Sequence, residues 1–123
     1  LSAEKGLAEA QCNLGLMYAE GQGAQQNYKE ALKWYLLSAE QGYALAESNL
    51  GLMYEEGQGV QQNYEEAIKW YSFAAKKGLS GAQSKLGLMY QSGKGVIQDY
   101  KEAVRLYRQS AKQGNTIGQK YQV

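Results

Sequence analysis

The chain has 123 residues, thirteen lysines and arginines against twelve acids, a formal charge of +1, no proline and no histidine. So small a net charge gives no field to gather nucleic acid or an acidic membrane surface, and no stretch approaches the roughly 18 consecutive apolar residues of a membrane span. The lack of histidine removes the usual general base and the usual zinc ligand, and a single cysteine, Cys12, cannot close an intrachain disulfide.

Read from its start, the chain opens on Ser2–Gly6 (SAEKG), which matches Ser38–Gly42 (SAEQG) and Ser110–Gly114 (SAKQG). Residues 1–6 therefore read as the tail of a preceding repeat. "LGLMY" then occurs at Leu14–Tyr18, Leu50–Tyr54 and Leu86–Tyr90, a spacing of 36 residues. Tyr28/Tyr64/Tyr100, Ala31/Ala67/Ala103, Tyr35/Tyr71/Tyr107 and Gly42/Gly78/Gly114 keep the same interval. A strict period in this range marks a stacked array. The units are 7–42, 43–78 and 79–114, and residues 115–123 begin a further one. With its frame cut at both ends, the chain reads as part of a longer array.

Within the first unit, Ala10, Leu14, Met17 and Tyr18 recur at helical spacing and predict an amphipathic helix. Gly21 supplies the stop and Gly23 a tight reversal. Asn27 with Glu30, Asn63 with Glu66, and Asp99 with Glu102 have the capping-box spacing and start a second helix. Its buried face is Tyr28, Ala31, Leu32, Tyr35 and Ala39, and Gly42 ends it. Gly15, Ala31 and Ala39 allow close approach of the two helices. No helical pair buries its apolar face alone, so neighbours must stack. The expected fold is all-α: a right-handed α/α superhelix, or solenoid, of 36-residue helix–turn–helix repeats.

Chemistry finds little support. "SGKGV" at Ser92–Val96 lacks most of a phosphate-binding loop. Glu55/Glu56 and Glu65/Glu66 are adjacent on helices and point about 100° apart, so they do not converge, and Glu65 precedes Lys69 by one turn as on a solvated face. Cys12 has no histidine to activate it. One-base-per-repeat RNA reading needs a basic stripe, and here the two charge signs are interspersed.

The residues closely resemble the Sel-one-like repeat family, relatives of the tetratricopeptide repeats. The family pattern A-x-x-x-L-G-x-x-Y-x-x-G-x-G-V, then Y-x-x-A-x-x-W-Y-x-x-A-A-x-x-G, is filled by Ala46, Leu50, Gly51, Tyr54, Gly57, Gly59, Val60, Tyr64, Ala67, Trp70, Tyr71, Ala74, Ala75 and Gly78. Ala24 and Ser38 depart from it in the first unit, and Leu106 and Ser110 in the third. The resemblance implies a non-catalytic scaffold or adaptor that binds a protein or peptide, with no cofactor or metal, in a bacterial protein of periplasmic or secreted type. A secreted branch with paired cysteines in each repeat acts on penicillin-like compounds; those pairs are missing here. The alternatives are an enzyme of that branch acting on a small molecule or cell-wall fragment, and a purely structural spacer.

A partner is expected on the concave surface lined by the first helices. Leu16, Leu52 and Leu88 lie about 200° from the core residue two positions earlier and form an apolar ladder, which either packs between units or meets a partner. Around it stand Glu9, Cys12 and Glu20; Leu45, Ser48 and Glu56; and Ser84 and Ser92, with Ala19, Glu55 and Gln91 at one further variable position. Such a groove is apolar at its centre and mildly acidic at the first two units, and it suits a peptide with apolar anchors and a basic residue. Trp34 with Leu37, and Trp70 with Phe73, mark a second patch on the outer helices, where the third unit has Leu106 and Gln109.

Overall fold

A computed structural model of the chain describes residues 2–113, with side chains from Lys5 onward. It is all-α among those residues: α1 (Ser2–Glu20), α2 (Tyr28–Glu40), α3 (Ala44–Glu56), α4 (Tyr64–Lys76), α5 (Ser80–Ser92) and α6 (Tyr100–Lys112). Each helix packs on the next in the chain, so three helical hairpins stack in order.

The second helices start where the capping signature puts them. Asn27, Asn63 and Asp99 are extended, and their side chains accept from the N–H groups of Glu30, Glu66 and Glu102 at 3.1, 3.0 and 3.1 Å. The reciprocal half of the box is replaced by a longer tie. Each cap residue's own N–H donates to Tyr18, Tyr54 or Tyr90 at 2.9 Å, satisfying an orphan carbonyl at the end of the helix just left. Gln26, Gln62 and Gln98 add a second tie, their amides donating to the carbonyls of Ala19, Glu55 and Gln91 at 2.8–2.9 Å. Gly57 and Gly93 close α3 and α5 in the left-handed conformation (φ 69° and 73°), which an L side chain resists.

Two features go beyond the sequence reading. First, α1 runs through Gly6 without a stop. Gly42 and Gly78 have φ of 80° and 93°, whereas Gly6 is not left-handed. Nothing lies within 4 Å of its Cβ position, so no packing imposes a turn and helical hydrogen bonding continues. The further repeat expected from residue 115 lies outside the described residues.

Second, the core sits between repeats. Ala46, Leu50 and Met53 pack with Ala31, Tyr35 and Ala39 of the repeat before. Ala82, Leu86 and Met89 pack with Ala67, Tyr71, Ala74 and Ala75. The Leu-Met face is therefore covered by the preceding repeat as well as by its own second helix, from which Leu106 joins one core and Trp70 packs against the other. In the first repeat, accordingly, Leu14 is half-buried and Met17 is exposed. The face toward the repeat's own second helix is made of small residues, Ala8, Cys12 and Gly15 on α1, with Ser38 donating to the carbonyl of Ala8 at 2.6 Å. Across the end of each hairpin lies a polar clasp: Gln41 to Gln11 at 2.5 Å, Lys77 to the buried Glu47 at 2.6 and 2.9 Å, and Gln113 to Gln83 at 3.5 Å.

Candidate partner-binding surface

The surface is organised by a glycine and a tyrosine. A Cβ on Gly15, Gly51 or Gly87 would stand 2.7 Å from a ring carbon of Tyr35, Tyr71 or Tyr107 respectively. Each tyrosine of a second helix thus lies flat across the glycine of its first helix. Its hydroxyl reaches the residue one turn beyond that glycine. Tyr71 donates to Glu55 at 2.7 Å and Tyr107 donates to Gln91 at 2.7 Å. In the first repeat that position is Ala19, whose side chain offers no acceptor, and the Tyr35 hydroxyl makes no hydrogen bond among the described residues; the residue is only 2% exposed, but its oxygen is not sealed from solvent. Burial raises the Tyr35 phenol well above its ordinary value, with Cys12 and Glu20 adding to the shift, so it remains a protonated donor.

The junction of the second and third repeats differs from that of the first and second in one more residue. Lys85 reaches from α5 to Glu55 at 3.8 Å, so Tyr71, Glu55 and Lys85 form a closed group. The residue matching Lys85 one repeat earlier is Asn49, which donates its amide to Cys12 at 3.8 Å. With Ala19 and Asn49 in place of Glu55 and Lys85, a cavity of 210 Å³ remains between α1, α2 and α3. Leu16, Glu20, Leu52 and Glu56 lie around it, together with Ala19, Tyr35 and Asn49. Neither Glu20 nor Glu56 forms an ion pair among the described residues.

Of the residues expected on this surface, Glu9, Glu20, Leu45, Glu56 and Ser92 are exposed. Leu16 is 40% and Leu88 53% exposed, while Leu52 is half-buried beside the cavity. Position 12 and its equivalents do not belong with them. Cys12 is buried in the core, Ser48 is half-buried, and the Ser84 hydroxyl lies 2.8 Å from that of Ser110 on α6. The reason is geometric: Cys12 stands three residues before Gly15, on the same face, which meets the second helix. Burial also pushes the Cys12 thiol up, only partly offset by Asn49, which keeps it unreactive. Sequence reasoning did not single out Tyr35 or Asn49. The signal was the exchange of Ala19 for Glu55 and Gln91 at a position facing a tyrosine.

On the outer side, Trp70 and Phe73 meet edge to face at 5.7 Å and Trp70 packs against the core of the first two repeats. Leu106 and Gln109 are too small to repeat this, and a 550 Å³ groove remains there. Its polar groups are largely paired already: Arg105 with Glu102 at 2.5 and 2.8 Å, and Gln83 with the carbonyl of Ala75 at 3.1 Å.

Helical hairpins stacked in sequence define the class of α-solenoid repeat proteins. The family model of the Sel1 repeat matches residues 8–43, 44–79 and 80–115, and the chain belongs to this family, whose members generally serve as protein-interaction scaffolds. A Sel1 repeat protein of Oxalobacter formigenes superposes with a TM-score of 0.86 at 41% identity, over 90% of this chain and 46% of that one. A protective antigen of uropathogenic Escherichia coli with an SLR fold gives 0.87 at 40% identity, over 94% of this chain and 25% of the antigen. The chain thus spans less than half the length of either. Cysteine-rich protein B of Helicobacter pylori shares the fold, with a TM-score of 0.78 at 22% identity over 98% of this chain and 92% of its own. No curated protein matched the sequence.

Proposed function

We propose that the chain is a non-catalytic scaffold that holds an extended peptide, or a segment of a protein, along the face formed by α1, α3 and α5. Leu16, Leu52 and Leu88 supply apolar contact, and Glu9, Glu20 and Glu56 make one end of the track acidic. The observation that carries this reading is the cavity at the junction of the first two repeats, where Leu16, Glu20, Leu52 and Glu56 meet around unfilled volume. Apolar surface rimmed by polar groups is the usual mark of an interaction site, and at 210 Å³ the cavity is smaller than the roughly 300–1,000 Å³ of small-molecule pockets. It accommodates a side chain of a longer ligand.

The test is peptide selection by phage display on the immobilised chain, with Leu16→Gln/Leu52→Gln/Leu88→Gln as the counter-target. Enriched peptides are expected to bind the native chain and lose at least about tenfold in affinity on the triple variant, the loss of about 1.4 kcal/mol of apolar contact. The variant should keep its helicity and melting temperature. Equal binding to both proteins, or melting that collapses in the variant, would refute the reading.

A further inference from the structure

We infer that the cavity between the first two repeats is a subsite for an arginine side chain of the bound polypeptide. This rests on the groove reading above and names what one position of the ligand must be. Three independent observations converge on it.

The first is an unmatched donor. Tyr71 and Tyr107 spend their hydroxyls on Glu55 and Gln91, whereas Tyr35, 2% exposed as a residue, lies beside Ala19 and its hydroxyl has no partner among the described residues. The Tyr35 oxygen is not sealed in the core: it opens on the cavity that Tyr35 lines and is free to pair with a ligand group there.

The second is charge and acceptor content. Glu20 and Glu56 line the cavity without a cationic partner, and Asn49 adds a side-chain carbonyl, its amide nitrogen being turned to Cys12. The phenol oxygen of Tyr35 can also accept. A guanidinium offers five donors in a planar fork and satisfies several such acceptors at once; an ammonium offers three from one point. The stem would lie along Leu16, Leu52 and Met53, as long basic side chains do on apolar surface.

The third is internal precedent. One repeat later the chain fills the corresponding place with its own long basic side chain, Lys85, set against Glu55. Where Lys85 is replaced by Asn49 and Glu55 by Ala19, the volume is left open and the carboxylates at its rim are left unpaired.

The experiment is a titration of the isotopically labelled chain with N-acetyl-arginine methylamide, and in parallel with the lysine and citrulline counterparts, followed by backbone amide chemical shifts at low salt. The arginine probe should give saturable shifts centred on Leu16, Ala19, Asn49 and Leu52. Lysine should bind more weakly, and citrulline, which has the shape without the charge, should not bind. Tyr35→Phe should weaken the arginine probe about tenfold or more, the worth of one hydrogen bond involving a charged group. Ala19→Glu/Asn49→Lys transplants the arrangement of the next repeat, so it is compatible with the fold, and it should abolish the shifts by filling the cavity from within. Equal binding of citrulline or lysine, or undiminished binding to that double variant, overturns the proposal. Peptides from the selection that bind the double variant as well as the native chain would refute the subsite while leaving the groove intact. Arginine shifts that persist while the leucine triple variant binds those peptides normally would refute the groove and leave the subsite standing.

Discussion

Replacing Gly51 by alanine separates two opposing effects in one helix. Alanine is the better helix former by about 1 kcal/mol. Its methyl carbon, however, would stand 2.7 Å from Cδ1 and Cε1 of Tyr71 and 3.0 Å from Cγ. Tyr71 is completely buried, so the ring has no solvent to swing into. Overpacking of this kind costs about 1–3 kcal/mol. Tilting the ring also breaks the 2.7 Å hydrogen bond from Tyr71 to Glu55, worth a further 1.5–3 kcal/mol or so because the acceptor is charged. With the lower part of each range, and the helix-forming gain subtracted, Gly51→Ala destabilises the array by about 2 kcal/mol. Gly81→Ala is the control, since no atom lies within 4 Å of the added carbon; it should be neutral or stabilising by up to about 1 kcal/mol. Urea unfolding followed by far-ultraviolet circular dichroism gives both midpoints. If Gly51→Ala moves the midpoint in the same direction as Gly81→Ala, the tyrosine does not need the glycine and the account of the surface built on that contact is wrong.

Two further predictions concern individual side-chain pairs. Tyr71→Phe should cost about 1.5 kcal/mol, because it strips a donor from the part-buried Glu55, whereas Tyr35→Phe should change stability by less than about 0.5 kcal/mol, its hydroxyl having no partner to lose; urea midpoints of the two variants compare them directly, and equal losses would contradict the difference between the repeats. Glu102 is held below the ordinary carboxylate value, first by its hydrogen bonds from Arg105. Its contribution is therefore present above the unfolded-state value and lost as pH falls through the lowered folded-state value. It is small, because the pair is largely exposed. Glu102→Gln should flatten that part of the acid limb of stability against pH, and an unchanged limb would refute the assignment.

The repeat unit and its punctuation were legible in the sequence because their signals are local. Asn27 and its equivalents cap a helix through residues three positions away, and Gly57 or Gly93 stops one through its own backbone. The identity of the surface each apolar face meets was not legible. The Leu50–Met53 pattern marks a buried stripe, but periodicity carries no record of which helix covers it, and much of the cover proved to come from the preceding repeat. The same packing explains where position 12 and its equivalents lie. Once Gly15 faces the repeat's own second helix, Cys12 must face it too, and Ser84 likewise meets Ser110. The pairing of Lys69 shows the same limit on a smaller scale: it meets Glu66 at 3.3 Å, one residue nearer than the Glu65 expected from the sequence. Tyr35 could be found only by asking what stands sixteen residues earlier, across a hairpin.

Because every core joins the second helix of one repeat to the first helix of the next, a whole unit can be excised without creating a mismatched junction. Without residues 43–78, Ala82, Leu86 and Met89 would dock on Ala31, Tyr35 and Ala39, meeting the chemistry they already meet on Ala67, Tyr71 and Ala75. On the opposite side, Leu16 and Glu20 would acquire Leu88 and Ser92 as neighbours in place of Leu52 and Glu56, and Lys85 would enter the place held by Asn49. One recombination event would leave the packing grammar unchanged and convert an acidic, open junction into a filled one. Reshuffling of units is thus a way for such a chain to change what it recognises without renegotiating how it folds.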